Sequence, residues 1–274
     1  MEQGPSFGSP PVIEVQLGLQ FDPVPNLTHS HFGLFWSQLG IDAWPFIAEL
    51  PPLPQQFEKF GSEIQWGNQS FTFNLNLTQY PSGRAQIINA ARDRVIQLQN
   101  GRFWYSWIGT SGSLYPRYET IQNEAVELFE KFSVFLSSCE FGSPHLNQWE
   151  VTYTNHLPRG TVWNDPTDWT RIFNSNAMLP AEFGSNKLEQ FNGQWMYVIT
   201  PSRGRLHVHL QSARDRLGGN DILQLQLIAR GPIGDADEGM VKALSGLSLG
   251  HETIVNGFRD LTSASAREFW KETR

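Results

Sequence analysis

RVIQLQNGRFWYSW, residues 94–107, consists of two strand-like runs joined by Asn100-Gly101. Asn-Gly is a preferred two-residue hairpin loop, because both central residues of a type I′ turn need a positive φ. The hairpin is expected to carry one apolar face and one mixed face, and Trp104 on the mixed face is either covered by another element or available to a partner. The register that follows pairs Gln99 with Arg102, Leu98 with Phe103, Gln97 with Trp104 and Ile96 with Tyr105.

The first half of the chain surrounds this hairpin with strands and two helices. VIEVQLGLQF (12–21) alternates apolar and polar residues, which is typical of a strand with one buried face. A short helix follows in 32–41, the proline-rich stretch 43–56 is expected to be irregular, and residues 116–138 have the spacing of an amphipathic helix. Further short strands are predicted near 62–66, 71–77 and 84–89.

The second half presents a similar order. Alternation in 148–155 predicts a strand, 165–173 a short helix, and 189–199, 205–211 and 222–229 further strands. An apolar stripe then runs from Met240 to Leu261, which Gly246 and Gly250 are expected to divide into two helices, before a last short helix.

These patterns predict an α+β fold with two similar halves. Each half would contain a strand, a helix, antiparallel strands and a long helix, with the helices packed on one face of a curved antiparallel sheet. The halves are residues 1–143 and 144–274, and an internal duplication within one compact unit is the preferred explanation.

Composition and charge narrow the class of protein. Of 274 residues, 39% are hydrophobic and 17% are charged, which is typical of a globular chain and not of a disordered one. The net charge of −7 disfavours nonspecific nucleic-acid binding, whose affinity comes from neutralised phosphates. The chain has neither a signal-peptide pattern nor an apolar run long enough to span a membrane, so a cytoplasmic location away from membranes is expected.

A basic stripe is the first candidate site. In PSRGRLHVHLQSAR (201–214), four basic or titratable side chains alternate with Leu206, Val208 and Leu210. A solvated strand face is one interpretation of this pattern, and a site for an anion or an acidic partner is a second. The residues of this anion- or partner-binding hypothesis are Arg203, Arg205, His207, His209, Arg214, Arg216 and Trp104.

A metal site is the third interpretation of the same stretch, and it is disfavoured. His207 and His209 share one face of the predicted strand, but two ligands are too few. A third would have to come from Asp215, His251 or Glu252, and the neighbouring arginines would repel a cation. No metal is therefore predicted.

His251 and Glu252 form the second candidate site. His251 falls on the apolar stripe of its predicted helix, where burial could tune it as a general base, although a histidine in such a place is more often a hydrogen-bonded core residue. The chain carries no Gly-X-Ser-X-Gly elbow, phosphate loop or dinucleotide fingerprint, so no cofactor is predicted.

A series of short motifs follows the chain: PPVIEVQLGLQF (10–21), PPLP (51–54), NGRFWYSW (100–107), YPRYE (115–119), EVTYTNH (150–156), GHETIVNGF (250–258), LTS (261–263) and Trp270. Taken together, these motifs resemble a sporadically distributed family of uncharacterised bacterial proteins of about this length. The resemblance spans nearly the whole chain. It implies a stand-alone cytoplasmic protein of the variable part of bacterial genomes, with a defence or mobile-element context suggested by the patchy distribution, and it implies no catalytic residues.

The function predicted first is a non-enzymatic binding protein. Its open sheet face, with Trp104 and the basic stripe, would engage a protein partner or a small anionic ligand, and a homodimer is expected. The alternative is an enzyme that uses His251 and Glu252 as acid–base groups on a small molecule. The two differ in whether His251 faces a cavity lined by polar groups or a dry seam between helix and sheet.

Overall fold

A computed structural model describes residues 4–58, 60, 83–109, 114–174, 182–183, 186–187, 192–199, 203–215, 219–234 and 239–273. Its strands are β1 (Val12–Phe21), β2 (Phe46–Leu50), β3 (Arg84–Ile88), β4 (Arg94–Gln99), β5 (Arg102–Ile108), β6 (Leu146–Pro158), β7 (Glu182–Phe183), β8 (Asn186–Lys187), β9 (Asn192–Ile199), β10 (Gly204–Arg214) and β11 (Asp221–Pro232). Its α-helices are α1 (His29–Leu39), α2 (Tyr118–Ser138), α3 (Trp169–Ile172), α4 (Gly239–Leu261) and α5 (Ala264–Phe269).

Nine of the described strands form one antiparallel sheet in the order β2-β3-β4-β5-β1-β6-β11-β10-β9. The hairpin prediction is confirmed, since β4 and β5 pair Gln99 with Arg102 and Ile96 with Tyr105. The long first strand is also confirmed. The stretch expected to be irregular contains β2, and the strands predicted at 62–66 and 71–77 lie outside the described residues.

The prediction of two similar halves is wrong. Strand β1 pairs with β5 on one side and with β6 on the other, so both parts of the chain build a single sheet. The first helices also differ, since α1 has 11 residues and α3 has four. Two separate sheets would each leave a long strand edge with unpaired backbone groups, and the β1–β6 pairing removes both edges.

Helices α2 and α4 cover one face of this sheet and bury its apolar side chains. Strand β1 contributes Val15, Leu17 and Leu19 to this helix face, and their partners across the β1–β6 pair are Tyr153, Val151 and Trp149. The core therefore runs continuously under both long helices.

The expected division of the last long helix at its glycines is also wrong, because α4 runs unbroken over 23 residues. Gly246 and Gly250 are points of close approach. A Cβ at Gly246 would collide with the Trp149 indole, and one at Gly250 would lie 2.8 Å from Trp149 and 2.9 Å from Val151. The helix can rest on the sheet there only because both positions lack a side chain.

The opposite, polar face of the sheet is crossed by residues 51–58, here called the strap. Glutamine side chains of the sheet bind the strap backbone. Gln99 accepts from the Leu53 N–H at 2.8 Å and donates to its carbonyl at 2.7 Å. Gln148 in turn accepts from the Glu58 N–H at 2.9 Å. The strap thus delivers Glu58 to the basic stripe of β10.

Gly246→Ala should lower the free energy of unfolding. Alanine gains about 1 kcal/mol of helix propensity, but forcing a methyl group against Trp149 costs typically about 1–3 kcal/mol. Gly33→Ala in α1 is the matched control, because its Cβ would meet nothing within 4 Å and should stabilise the protein. Urea unfolding of both variants measures the difference, and a stabilised Gly246→Ala protein would contradict the close approach.

Candidate functional site

The basic stripe lies on the polar face, as the alternation predicts. Leu206, Val208 and Leu210 are buried on the helix face, while Arg205 and His207 point the other way. Of the flanking residues, Arg203 is exposed. Arg214 is also exposed and pairs with Asp221 at 3.5 Å, and Arg216 lies outside the described residues.

Glu58 of the strap occupies the centre of this stripe. Its carboxylate accepts hydrogen bonds from Arg205 Nη1 at 2.6 Å, His207 Nε2 at 2.7 Å and Arg230 Nε at 2.8 Å. Only 7% of the Glu58 side chain is exposed. Arg230 is shared with Glu150 of β6 at 3.3 Å. Charge-assisted hydrogen bonds of this kind are the strong ones, so the carboxylate is held firmly.

The environment of Glu58 favours its charged form. Burial by itself would raise the pKa of the carboxyl, but hydrogen bonds from His207 and Arg205 and the positive charges beside it outweigh burial and lower the pKa to about 2. The stripe therefore already holds an anionic group from its own chain. Sequence reasoning missed Glu58, because nothing in the proline-rich stretch indicates which strand it crosses.

Trp104 and His209 are the other predicted residues of this face. Trp104 is 5% exposed, and its indole lies over Gly18 of β1, where a Cβ would come within 2.7 Å of it. The Arg102 guanidinium stands 4.9 Å from the centre of its ring. Burial, assisted by the charges of His207 and Arg230, lowers the pKa of His209. Trp104 is therefore covered within its own chain.

His251 faces a cavity and not a dry seam. The cavity has a volume of about 670 Å³ and lies where α4, the start of α2 and the N-terminal segment meet above β6. The ring of His251 stacks on Tyr118 at 3.9 Å with an interplanar angle of 3°. Its Nδ1 is hydrogen-bonded to the Tyr153 hydroxyl at 2.8 Å. The Tyr153 hydroxyl is also hydrogen-bonded to the Tyr115 hydroxyl, at 2.9 Å.

These ring groups are uncharged at neutral pH. Burial, opposed by the charge of Glu119, lowers the pKa of His251 to about 4. Burial also raises the pKa values of the Tyr115, Tyr118 and Tyr153 hydroxyls above their usual value. The cavity wall therefore presents neutral hydrogen-bonding groups. Within the described part of the chain, the Nε2 atom of His251 has no hydrogen-bond partner.

Charged residues stand at the rim of the cavity. Glu252, paired with His251 in the acid–base hypothesis, is exposed there, as are Glu119 and Arg117. The Arg117 guanidinium donates to the Phe7 carbonyl at 3.3 Å. No hydrogen bond joins Glu252 to His251 among the described residues, so these two side chains do not form an acid–base pair.

The backbone at Arg117 is strained. Its φ of 74° and ψ of 152° fall in a region that only glycine adopts readily. This conformation lies between Tyr115 and Tyr118, and both of these residues line the cavity. Strained residues cluster at ligand sites, where the surrounding structure holds them in place. Sequence reasoning missed the three tyrosines, because their meeting with His251 depends on three separate elements.

Two further features of the described residues bear on the predicted partners. No three His, Cys, Asp or Glu side chains come together there as ligands for a metal ion. In the same ranges, every helix is too short or too polar to cross a lipid bilayer.

Replacement of Glu58 should destabilise the protein in a pH-dependent way. Glu58→Gln removes the carboxylate that Arg205 and Arg230 share, which lowers the free energy of unfolding by about 3 kcal/mol at pH 7, the usual effect of breaking a buried ion pair. The pKa is depressed from its usual 4.5 to about 2, so the carboxylate stabilises fully above pH 4.5 and loses its effect as the pH falls toward 2.

Urea unfolding of the wild-type and Glu58→Gln proteins between pH 7 and pH 2.5 measures this effect. The difference in their free energies of unfolding should be largest at neutral pH and should shrink as the pH falls below 4.5. Glu127→Gln is the control, because Glu127 is 67% exposed on α2 and its pair with Lys131 contributes little. Equal stability of wild type and Glu58→Gln at pH 7 would show that the strap is not anchored by this cluster.

In three comparisons, the chain matches no protein-family model, no curated protein and no solved structure. The resemblance to a sporadic bacterial family therefore stays a prediction.

Proposed function

We propose that the protein is a binding protein for a small organic molecule, which it takes up in the cavity around His251. The observation that carries the proposal is the cavity itself, which measures about 670 Å³ and in which the Nε2 atom of His251 has no hydrogen-bond partner among the described residues. Ligand cavities in proteins usually measure about 300–1,000 Å³ and combine apolar walls with a few placed polar groups.

The polar groups of the cavity are fixed before a ligand arrives. Tyr118 stacks on one face of the His251 ring, and Tyr153 holds its Nδ1. Tyr115 in turn holds the Tyr153 hydroxyl. Binding to a preorganised donor or acceptor costs less conformational entropy than binding that must first order the side chains of the site. This arrangement supports specific recognition by His251.

Binding is favoured over acid–base catalysis by the protonation state of His251. A general base works best when its pKa lies near the working pH. Burial instead lowers the pKa of His251 to about 4, so at pH 7 the ring is a neutral hydrogen-bonding group and a weak base. Glu252 stands at the rim without a bond to it.

The basic stripe supports external binding less well than the cavity does. Its central residues already hold the Glu58 carboxylate, and an outside anion would have to displace it. The protein-partner, anionic-ligand and homodimer hypotheses for that face stay predictions.

Indole is a suitable first probe, because it is flat, neutral and smaller than the cavity. We expect saturable binding of indole in a calorimetric titration. His251→Phe keeps a flat ring against Tyr118 but removes both ring nitrogens. The loss of one hydrogen bond, about 1 kcal/mol, predicts a roughly five-fold weaker Kd.

Ser248→Trp tests the location of the site, because Ser248 lines the cavity and an indole side chain there would fill part of it. Ser245→Trp is the matched control, since Ser245 lies about one turn away on α4 and lines the neighbouring groove instead. The Ser248→Trp protein should no longer bind indole, whereas the Ser245→Trp protein should bind it as the wild type does. Unchanged binding to Ser248→Trp would place the site elsewhere.

A further inference from the structure

We propose that the cavity around His251 selects an organic cation, an arylalkylamine in its ammonium form. This inference rests on the proposed function and adds the chemical class of its ligand. It draws on three independent features of the cavity: the charges at its rim, the rings in its wall and the neutrality of its histidine.

The charges at the rim favour a positive ligand. Among the described residues, two carboxylates, Glu119 and Glu252, line the cavity together with one guanidinium, that of Arg117. Arg117 is directed to the Phe7 carbonyl, to which it donates a hydrogen bond. With His251 neutral, these described residues carry one positive and two negative charges, a net charge of −1.

The negative charge of Glu119 reaches into the cavity. It is a cause of the raised pKa values of Tyr115, Tyr118 and Tyr153, and it opposes the lowering of the His251 pKa by burial. The charge of Arg117 opposes this effect at Tyr115. A ligand carboxylate would therefore meet repulsion where a ligand ammonium meets attraction.

Aromatic rings supply the second feature. An ammonium group over the face of a tyrosine or phenylalanine is attracted by the electrons of the ring, and the attraction grows when the site is shielded from water. The flat ring system of an arylalkylamine would pack among the same rings. The rings that line the cavity are Phe7, Tyr115, Tyr118, Tyr153 and Phe258.

Hydrogen bonding is the third feature. A buried imidazolium would repel an ammonium group, but burial keeps His251 neutral at pH 7. Its Nε2 can accept a hydrogen bond in one tautomer, and the Tyr153 hydroxyl on Nδ1 can serve either tautomer, because it both donates and accepts. The Asn155 side chain adds a further polar group to the wall.

Three indoles of matched shape separate the charge of the ligand from its ring: tryptamine, 3-ethylindole and indole-3-acetate, which at pH 7 are a cation, a neutral molecule and an anion. Calorimetric titration of the full chain should give the tightest Kd for tryptamine. We expect about a ten-fold preference over 3-ethylindole, with indole-3-acetate the weakest.

Glu119→Gln and Glu252→Gln test the source of this preference. Each substitution should raise the Kd of tryptamine several-fold and leave the Kd of 3-ethylindole unchanged. Because both residues are exposed, the fold should be kept. Glu127→Gln is the matched control, because Glu127 lies on α2 outside the cavity. A higher salt concentration should weaken the binding of tryptamine more than that of 3-ethylindole, since salt screens exposed charges.

The outcomes distinguish this inference from the proposed function. Equal Kd values for tryptamine and 3-ethylindole, or tightest binding of indole-3-acetate, would overturn the selection of a cation and leave the cavity as a binding site. A tryptamine preference that survives in both Gln variants would also overturn it. If none of the three indoles binds, the proposed function and this inference both fall.

Discussion

The pairing of β1 with β6 is the constraint on which the rest of the structure depends. It joins strands from both parts of the chain into one sheet and places Leu17 opposite Val151 and Gly18 opposite Glu150. Because successive side chains of a strand point to opposite faces, this one register fixes an apolar face under α2 and α4 and a polar face behind it. A slip by one residue would turn Glu150 into the core.

The polar face shows how a sheet can be covered without a helix. The strap contains Pro51, Pro52 and Pro54, and proline cannot donate a backbone hydrogen bond to a neighbouring strand. The sheet instead offers glutamine amides, which donate and accept at once, and Gln99 and Gln148 each bind the strap backbone at two atoms. Buried polar groups are thereby paired, and Glu58 adds an ionic anchor.

Local patterns predicted local structure well. Asn100-Gly101 specified the loop and the register of its hairpin, and alternation placed His207 on the face opposite Val208. The duplication was wrong, because alternating strands look alike whether they join one sheet or two. The unbroken α4 was missed for a related reason. The glycines that lower its helix propensity are needed for contact with Trp149, and a tertiary contact of this kind leaves no local signal.

The candidate sites were predicted only in part, because they too depend on contacts between distant segments. His251 was singled out from its place on an apolar stripe, but its neighbours Tyr115, Tyr118 and Tyr153 come from the loop before α2, from α2 itself and from β6. The basic stripe was identified on β10, but its counter-charge, Glu58, lies 147 residues from Arg205 in sequence. Chemistry that arises when distant segments meet cannot be predicted from either segment alone.

The two faces of the sheet divide the charges of the molecule in opposite ways. On the polar face, Arg205 and Arg230 share the Glu58 carboxylate and Arg230 also pairs with Glu150, so their positive charge is compensated internally. On the helix face, the described carboxylates at the cavity rim, Glu119 and Glu252, outnumber the Arg117 guanidinium beside a neutral His251. A charge already compensated inside the protein adds little attraction for a ligand, whereas an uncompensated one at the mouth of a shielded cavity adds more. The same distribution that closes the basic stripe to an outside anion therefore leaves the His251 cavity suited to a cation.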